Sequence, residues 1–97
     1  MKAIFIAYDQ AHHENICDII DRMNIRGYTL FDQTKGAGSK TGDPHLGSHA
    51  WPSMNSSMLI VVEDGQVDTL LERLHTLDTD NQMLGLRAFV WDVEKSI

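Results

Sequence analysis

The sequence predicts an α+β domain of ferredoxin-like βαββαβ order. That means a four-stranded antiparallel sheet, two helices on one of its faces, and a long loop between the second and third strands. Three observations predict it. Two windows carry apolar residues at helical spacing, and four short windows are rich in β-branched and aromatic residues. These windows alternate as strand, helix, strand, strand, helix, strand. With 97 residues, 42% hydrophobic and 23% charged, the chain has the size and balance of one globular domain spanning 1–97.

The run KAIFIAY, 2–8, is apolar, rich in strand formers and too short for a helix, so it reads as a central strand. Asp9 is placed to cap the helix after it. From His12 to Ile25, Ile16, Ile19, Ile20 and Met23 share one helical face, and Gly27 is the expected stop. GYTLFDQT, 27–34, alternates as a second strand. SMLIVVE, 57–63, is the most hydrophobic stretch and the third strand, and Asp64-Gly65 makes a turn. Val67, Leu70, Leu71, Leu74 and Leu77 then give a second amphipathic helix, with DTDN, 78–81, as a polar loop. LRAFVWD, 86–92, is the fourth strand. One sheet face is left without helices. Phe5, Phe31, Phe89 and Trp91 are candidates for that face, where an apolar surface calls for a second subunit; the alternative places them against the helices.

A net charge of −6 argues against nucleic acid as a partner and offers no basic surface to anionic membranes. The single cysteine, Cys17, allows no internal disulfide, and it falls on or beside the buried stripe of the first helix as a small core residue. MKAIFIAYDQ has too short an apolar run for a signal peptide or a membrane span, so a cytoplasmic protein is expected.

The loop, residues 35–56, concentrates the remaining chemistry. GAGSKTGDPHLGSHAWPSMN, 36–55, holds four of seven glycines, both prolines, His45, His49 and Trp51. Gly38-Ser39-Lys40-Thr41 resembles the tail of a phosphate-binding loop, but Gly42-Asp43-Pro44 breaks a helix where one should begin. Backbone N–H groups of Gly36 and Gly38, with Lys35 and Lys40, can still form an anion nest; a glycine hinge that binds nothing is the other reading. His45 and His49 can converge on a divalent or Cu(I) ion, helped by Asp43 or by Met54 and Met58, although two histidines are too few for a closed zinc site. His12, His13 and Glu14 are further metal candidates. Ser48 and His49 are adjacent, so their side chains diverge, and no acid is placed to orient the histidine; no catalytic residue is assigned and no enzyme is expected. Trp51 either pins the loop base or caps a ligand. Gly36–Gly47 is expected to be mobile, and Ser48–Asn55 anchored.

GYTLFDQTKGAGSKTG, 27–42, resembles the second strand and hinge of the PII nitrogen-regulatory signalling proteins. In that family the strand ends in Lys-Gly-aromatic-Gly, here Lys35-Gly36-Ala37-Gly38. The Ile-Arg-Gly entry at 25–27 and the βαββαβ order over nearly the whole chain also fit. The resemblance implies a homotrimer, a small ligand in the cleft between subunits, and a T-loop that touches a regulated protein target. It points to Thr29, Lys35, Gly36, Gly38, Lys40 and Trp51 as ligand-binding positions, and names no cofactor. Two departures stand out. The loop before the last strand, DTDNQMLG, 78–85, is acidic where the family is basic and glycine-rich, and no arginine follows the last strand. The trimeric CutA proteins, linked to divalent metals, are a more distant likeness.

Overall fold

A computed structural model describes residues 1–37, 44–45, 54–81 and 84–97, with backbone alone at 36–37 and 44–45. Strand β1 is Lys2–Asp9, helix α1 His13–Arg22, β2 Thr29–Thr34, β3 Gly36–Ala37 and β4 Pro44–His45. Strand β5 is Asn55–Val62, helix α2 Val67–Asp80 and β6 Leu86–Asp92. The four long strands form one antiparallel sheet in the order β2-β5-β1-β6, with both β1 and β5 paired on two sides. This is the α+β ferredoxin-like arrangement, and its two central strands are the most apolar stretches of the sequence.

Period-two alternation sorts the sheet residues into two faces. On one, Ile4, Ile6, Tyr8, Met58, Ile60 and Val62 pack under Ile16, Ile20, Leu70 and Leu74, and all are buried. Burying each such aliphatic side chain contributes about 1.5–3 kcal/mol before entropy is charged against it. The other face carries rows that cross the sheet in register. Phe89 faces Phe5, Phe5 faces Leu59, and Leu59 faces Thr29; Trp91 faces Ala3, which faces Val61. Phe31, Val61, Phe89 and Trp91 are each about half exposed. Phe5, Phe31, Phe89 and Trp91 therefore lie away from the helices.

Strand β5 runs Asn55–Val62 where 57–63 was expected, because Asn55 and Ser56 still pair with Asp9 and Tyr8 of β1. Three further boundaries differ from expectation, each for a physical reason. Asp9 caps as foreseen, its Oδ1 accepting from Ala11 N at 2.8 Å, but residues Gln10–His12 form a 3-10 turn before α1 begins. Helix α1 stops at Arg22, ahead of Gly27. Asn24 takes φ +59°, Ile25 N donates to Ile20 O at 3.0 Å, and Asn24 N donates to Asp21 O at 3.0 Å. That pair of bonds is a Schellman end in which Asn supplies the left-handed residue, and buried Ile25 closes it against Ile20. Gln66 Nε2 also donates to Met23 O at 3.1 Å, satisfying one of the carbonyls left over at the helix end. The chain from Met23 to Tyr28 is then a connection, and β2 starts at Thr29. Finally, α2 continues through 78–80 where a loop was expected. Leu77 still packs against the core, Thr76 and Thr79 bond back to carbonyls of their own helix, and Asn81 Nδ2 donates to Leu77 O at 3.2 Å.

Candidate functional site

The loop base is built at the end of β1. Opposite β5, strand β2 pairs regularly through Phe31↔Ser57, then slips and resumes at Thr34↔Asn55. Residues 32–33 face one residue, Ser56, so the extra residue is a bulge, with Gln33 at φ +55°. A single carboxylate oxygen holds the bulge. Asp32 Oδ1 accepts from Gln33 N at 3.0 Å, from buried Ser56 Oγ at 3.1 Å and from Gln10 Nε2 at 3.3 Å. It thus joins β2, β5 and the turn after β1.

Beyond the bulge, exposed Lys35 leads into β3. Gly36 pairs with His45 and Ala37 with Pro44, so the loop leaves and returns as a two-residue ribbon. Its return is tied by Gln10 N donating to Met54 O at 2.8 Å. The segment before β6 reaches the same place: Asp9 N approaches Gly85 O at 3.4 Å, and Gly85 has φ +80°, where glycine is favoured. Two segments therefore meet at Asp9 and Gln10: the return of the loop that carries Lys35, through Met54, and the approach to β6, through Gly85.

The predicted ligand positions divide. Lys35 and Gly36 stand together at this base. Thr29 opens β2 on the open sheet face, on the order of 20 Å of extended chain from Lys35 at ~3.3 Å per residue. Gly38, Lys40, Asp43, His49 and Trp51 lie outside the described residues, and of His45 only the backbone is described. The expected mobility of Gly36–Gly47 and the anchoring of 48–53 fall largely outside them as well.

Other metal candidates are drawn apart. Met58 is fully buried in the core and is unavailable to a soft site at the loop. His12 is 1% exposed, and its Nε2 has no hydrogen-bond partner among the described residues. Burial holds its pKa below the usual histidine value, against Asp9 and Asp78, which pull upward. Adjacent His13 instead turns to Tyr8 and Cys17. Among the described residues, no three metal-ligating side chains gather at one point. Sequence reasoning missed Asp32, Ser56 and Gln10, because a bulge has no spacing signature and three polar residues far apart in the chain announce nothing. The i, i+4 spacing of His13 and Cys17 was visible, but Cys17 read as core.

The family model for the nitrogen regulatory protein P-II matches residues 1–97. The chain belongs to the P-II family. Among solved structures it is similar to CPII from Thiomonas intermedia K12 bound to ADP and bicarbonate, at 25% identity and TM-score 0.77, covering 95% of this chain and 84% of that one. It shares its fold with the same protein bound to ADP, AMP and bicarbonate, at 24% identity and TM-score 0.74, covering 99% and 94%. It also shares it with a PII-like signalling protein from Thermus thermophilus, at 18% identity and TM-score 0.68, covering 95% and 84%. No curated protein matches by sequence. Among the described residues, no helix of this P-II chain is long and apolar enough to cross a membrane.

Proposed function

We propose that this P-II chain is a non-enzymatic trimeric sensor. Its ligand is an adenine nucleotide, alone or with bicarbonate, held in the cleft between subunits, and residues 35–56 act as the T-loop that reports occupancy to a protein target. The observation that supports this reading is the loop base. The bulge at Asp32 leads into exposed Lys35 and then Gly36, and the returning loop is bonded to Gln10, next to Asp9, which the segment before β6 also meets. A cation and glycine N–H groups are suited to an anionic ligand. The separation of Thr29 from Lys35 supports a shared cleft, since both can touch one ligand when they come from different protomers. The open sheet face supplies a reason to assemble, because half-exposed Phe31, Phe89 and Trp91 gain by burial against copies of themselves. The similar CPII structure bound to ADP and bicarbonate supports the ligand class.

With acidic residues at 78–80, this chain lacks one of the family's basic patches and relies on Lys35, Lys40 and backbone donors. Calorimetry with ATP, ADP, AMP and bicarbonate, singly and paired, tests the reading. At least one is expected to bind with a Kd below about 1 mM, a free energy of about −4 kcal/mol. Lys35→Ala should weaken it about tenfold, in line with loss of a charge-assisted hydrogen bond. Silence from all four ligands would remove the nucleotide reading.

A further inference from the structure

A chain of three side chains beside α1 takes no part in the loop base. Tyr8 projects from β1 on the helix-covered side and is 1% exposed. Its hydroxyl lies 2.8 Å from Nδ1 of His13, and the two rings stack with centroids 5.9 Å apart and planes 13° from parallel. On the far edge of the imidazole, Nε2 is 3.5 Å from Sγ of Cys17, one helical turn on. Cys17 is partly buried and opens onto a groove of about 590 Å³ that Glu14, Asp21, Ile25, Arg26 and Tyr28 also line. A thiol within reach of an imidazole, itself oriented by a third group, is the arrangement of an assisted nucleophile.

The geometry points to Cys17 as a modifiable thiol that forms mixed disulfides with small neutral or cationic disulfides, with His13 as its proton acceptor and Tyr8 as the positioning residue. The S–H proton passes to His13 Nε2, and Nδ1–H is donated to the Tyr8 oxygen. Nδ1 keeps its hydrogen in the neutral and the protonated ring alike, so the Tyr8 oxygen accepts from it throughout. The Cys17 thiolate attacks one sulfur of R–S–S–R. A bond forms from Sγ to that sulfur, the bond between the two reagent sulfurs breaks, and the departing RS⁻ takes the proton back from Nε2. The products are Cys17–S–S–R and RSH, and no further oxidant enters.

The surroundings make His13 necessary. Burial, and then Glu14, push the Cys17 thiol above its usual pKa, so unaided thiolate is scarce at neutral pH. Tyr8 is pushed up to about 12, chiefly by burial with smaller contributions from Cys17, Asp32 and Tyr28, so it keeps its proton. The charged groups facing the thiol and its groove are Glu14, Asp18 and Asp21 on α1 and Arg26 before β2. Asp18 is engaged by Arg22 at 2.9 Å, which leaves two carboxylates against one guanidinium. That balance disfavours an anionic disulfide.

The test is the rate of alkylation of the intact protein by neutral iodoacetamide, read by mass spectrometry from about pH 5.5 to 10, across the imidazole and thiol ranges. The parent is expected to show a second inflection below the one from ordinary thiol ionisation, and His13→Gln should lose it. At neutral pH it should react about tenfold faster than His13→Gln, and the two should react alike in denaturant. Tyr8→Phe should move the lower inflection, which mere loss of packing would not do. A parent profile with a single inflection above about pH 9 would overturn the proposal whether or not the variants fold. So would equal rates for folded parent and His13→Gln. Cystamine should form the adduct several-fold faster than oxidised glutathione on folded protein; no such preference would overturn the assignment of substrate charge. None of these outcomes depends on nucleotide binding at the loop base.

Discussion

The two faces of the sheet share the same strands and differ in almost everything else. On the covered face, Ile4, Ile6, Met58 and Ile60 are sealed beneath two helices, and one chain supplies every layer. On the open face, Phe31, Val61, Phe89 and Trp91 keep about half their surface in contact with the surroundings. Both faces are apolar, so hydrophobicity does not distinguish them. What separates them is whether the chain has elements left to cover them. Two helices are enough for one face of four strands, and the other is left for copies of the chain on the proposed reading.

Ile60→Ala is the largest blow to the covered face. It should cost about 2–5 kcal/mol, read as a lower urea midpoint at every protein concentration. On the open face Trp91→Asp should leave the far-UV circular dichroism intact and reduce the scattering mass to the 10.9 kDa monomer. It should also abolish the concentration dependence of unfolding expected of the parent. A parent already monomeric at micromolar concentration would break the comparison outright, since the open face would then be stable uncovered.

The end of α1 sharpens it from the covered side. Asn24→Val places a β-branched residue at φ +59° and should cost about 1–2 kcal/mol, while Asn24→Gly should keep or raise stability. The smallest expected effect is that of pH. His12 is buried and favoured in its neutral form, so its folded pKa lies below the unfolded value of about 6.5. Below that value the unfolded chain binds the extra proton, and stability present at higher pH is lost as pH falls toward the folded pKa. The urea midpoint should drop from pH 7.5 to about 5.5, and the drop should be shallower in His12→Gln. Equal slopes would show that His12 is not the group responsible.

Much of the fold was legible because periodicity is a local property. The isoleucines of β1 and α1 and the leucines of α2 announce strands and helices by spacing alone, and β6 spans the predicted Leu86–Asp92. Element ends were less legible. Gly27 looked like the helix stop, but Asn24 could take the left-handed turn three residues sooner because Ile25 then reached the core. The polar run at 78–80 looked like a loop, but Leu77 and side-chain bonds back to the helix carried α2 through it. For the candidate site, Lys35 and Gly36 were visible as a motif, whereas Asp32, Ser56 and Gln10 were not.

The sequence by itself determined the order of the four long strands and two helices, and the family motif from Lys35 onward. Those follow from residue type and spacing along the chain. Only the tertiary structure decided which polar groups meet. The bulge that brings Asp32 to Ser56 and Gln10, and the packing that turns His12 into the core and His13 toward Tyr8 and Cys17, depend on contacts between residues distant in sequence. Local spacing carries no record of such contacts.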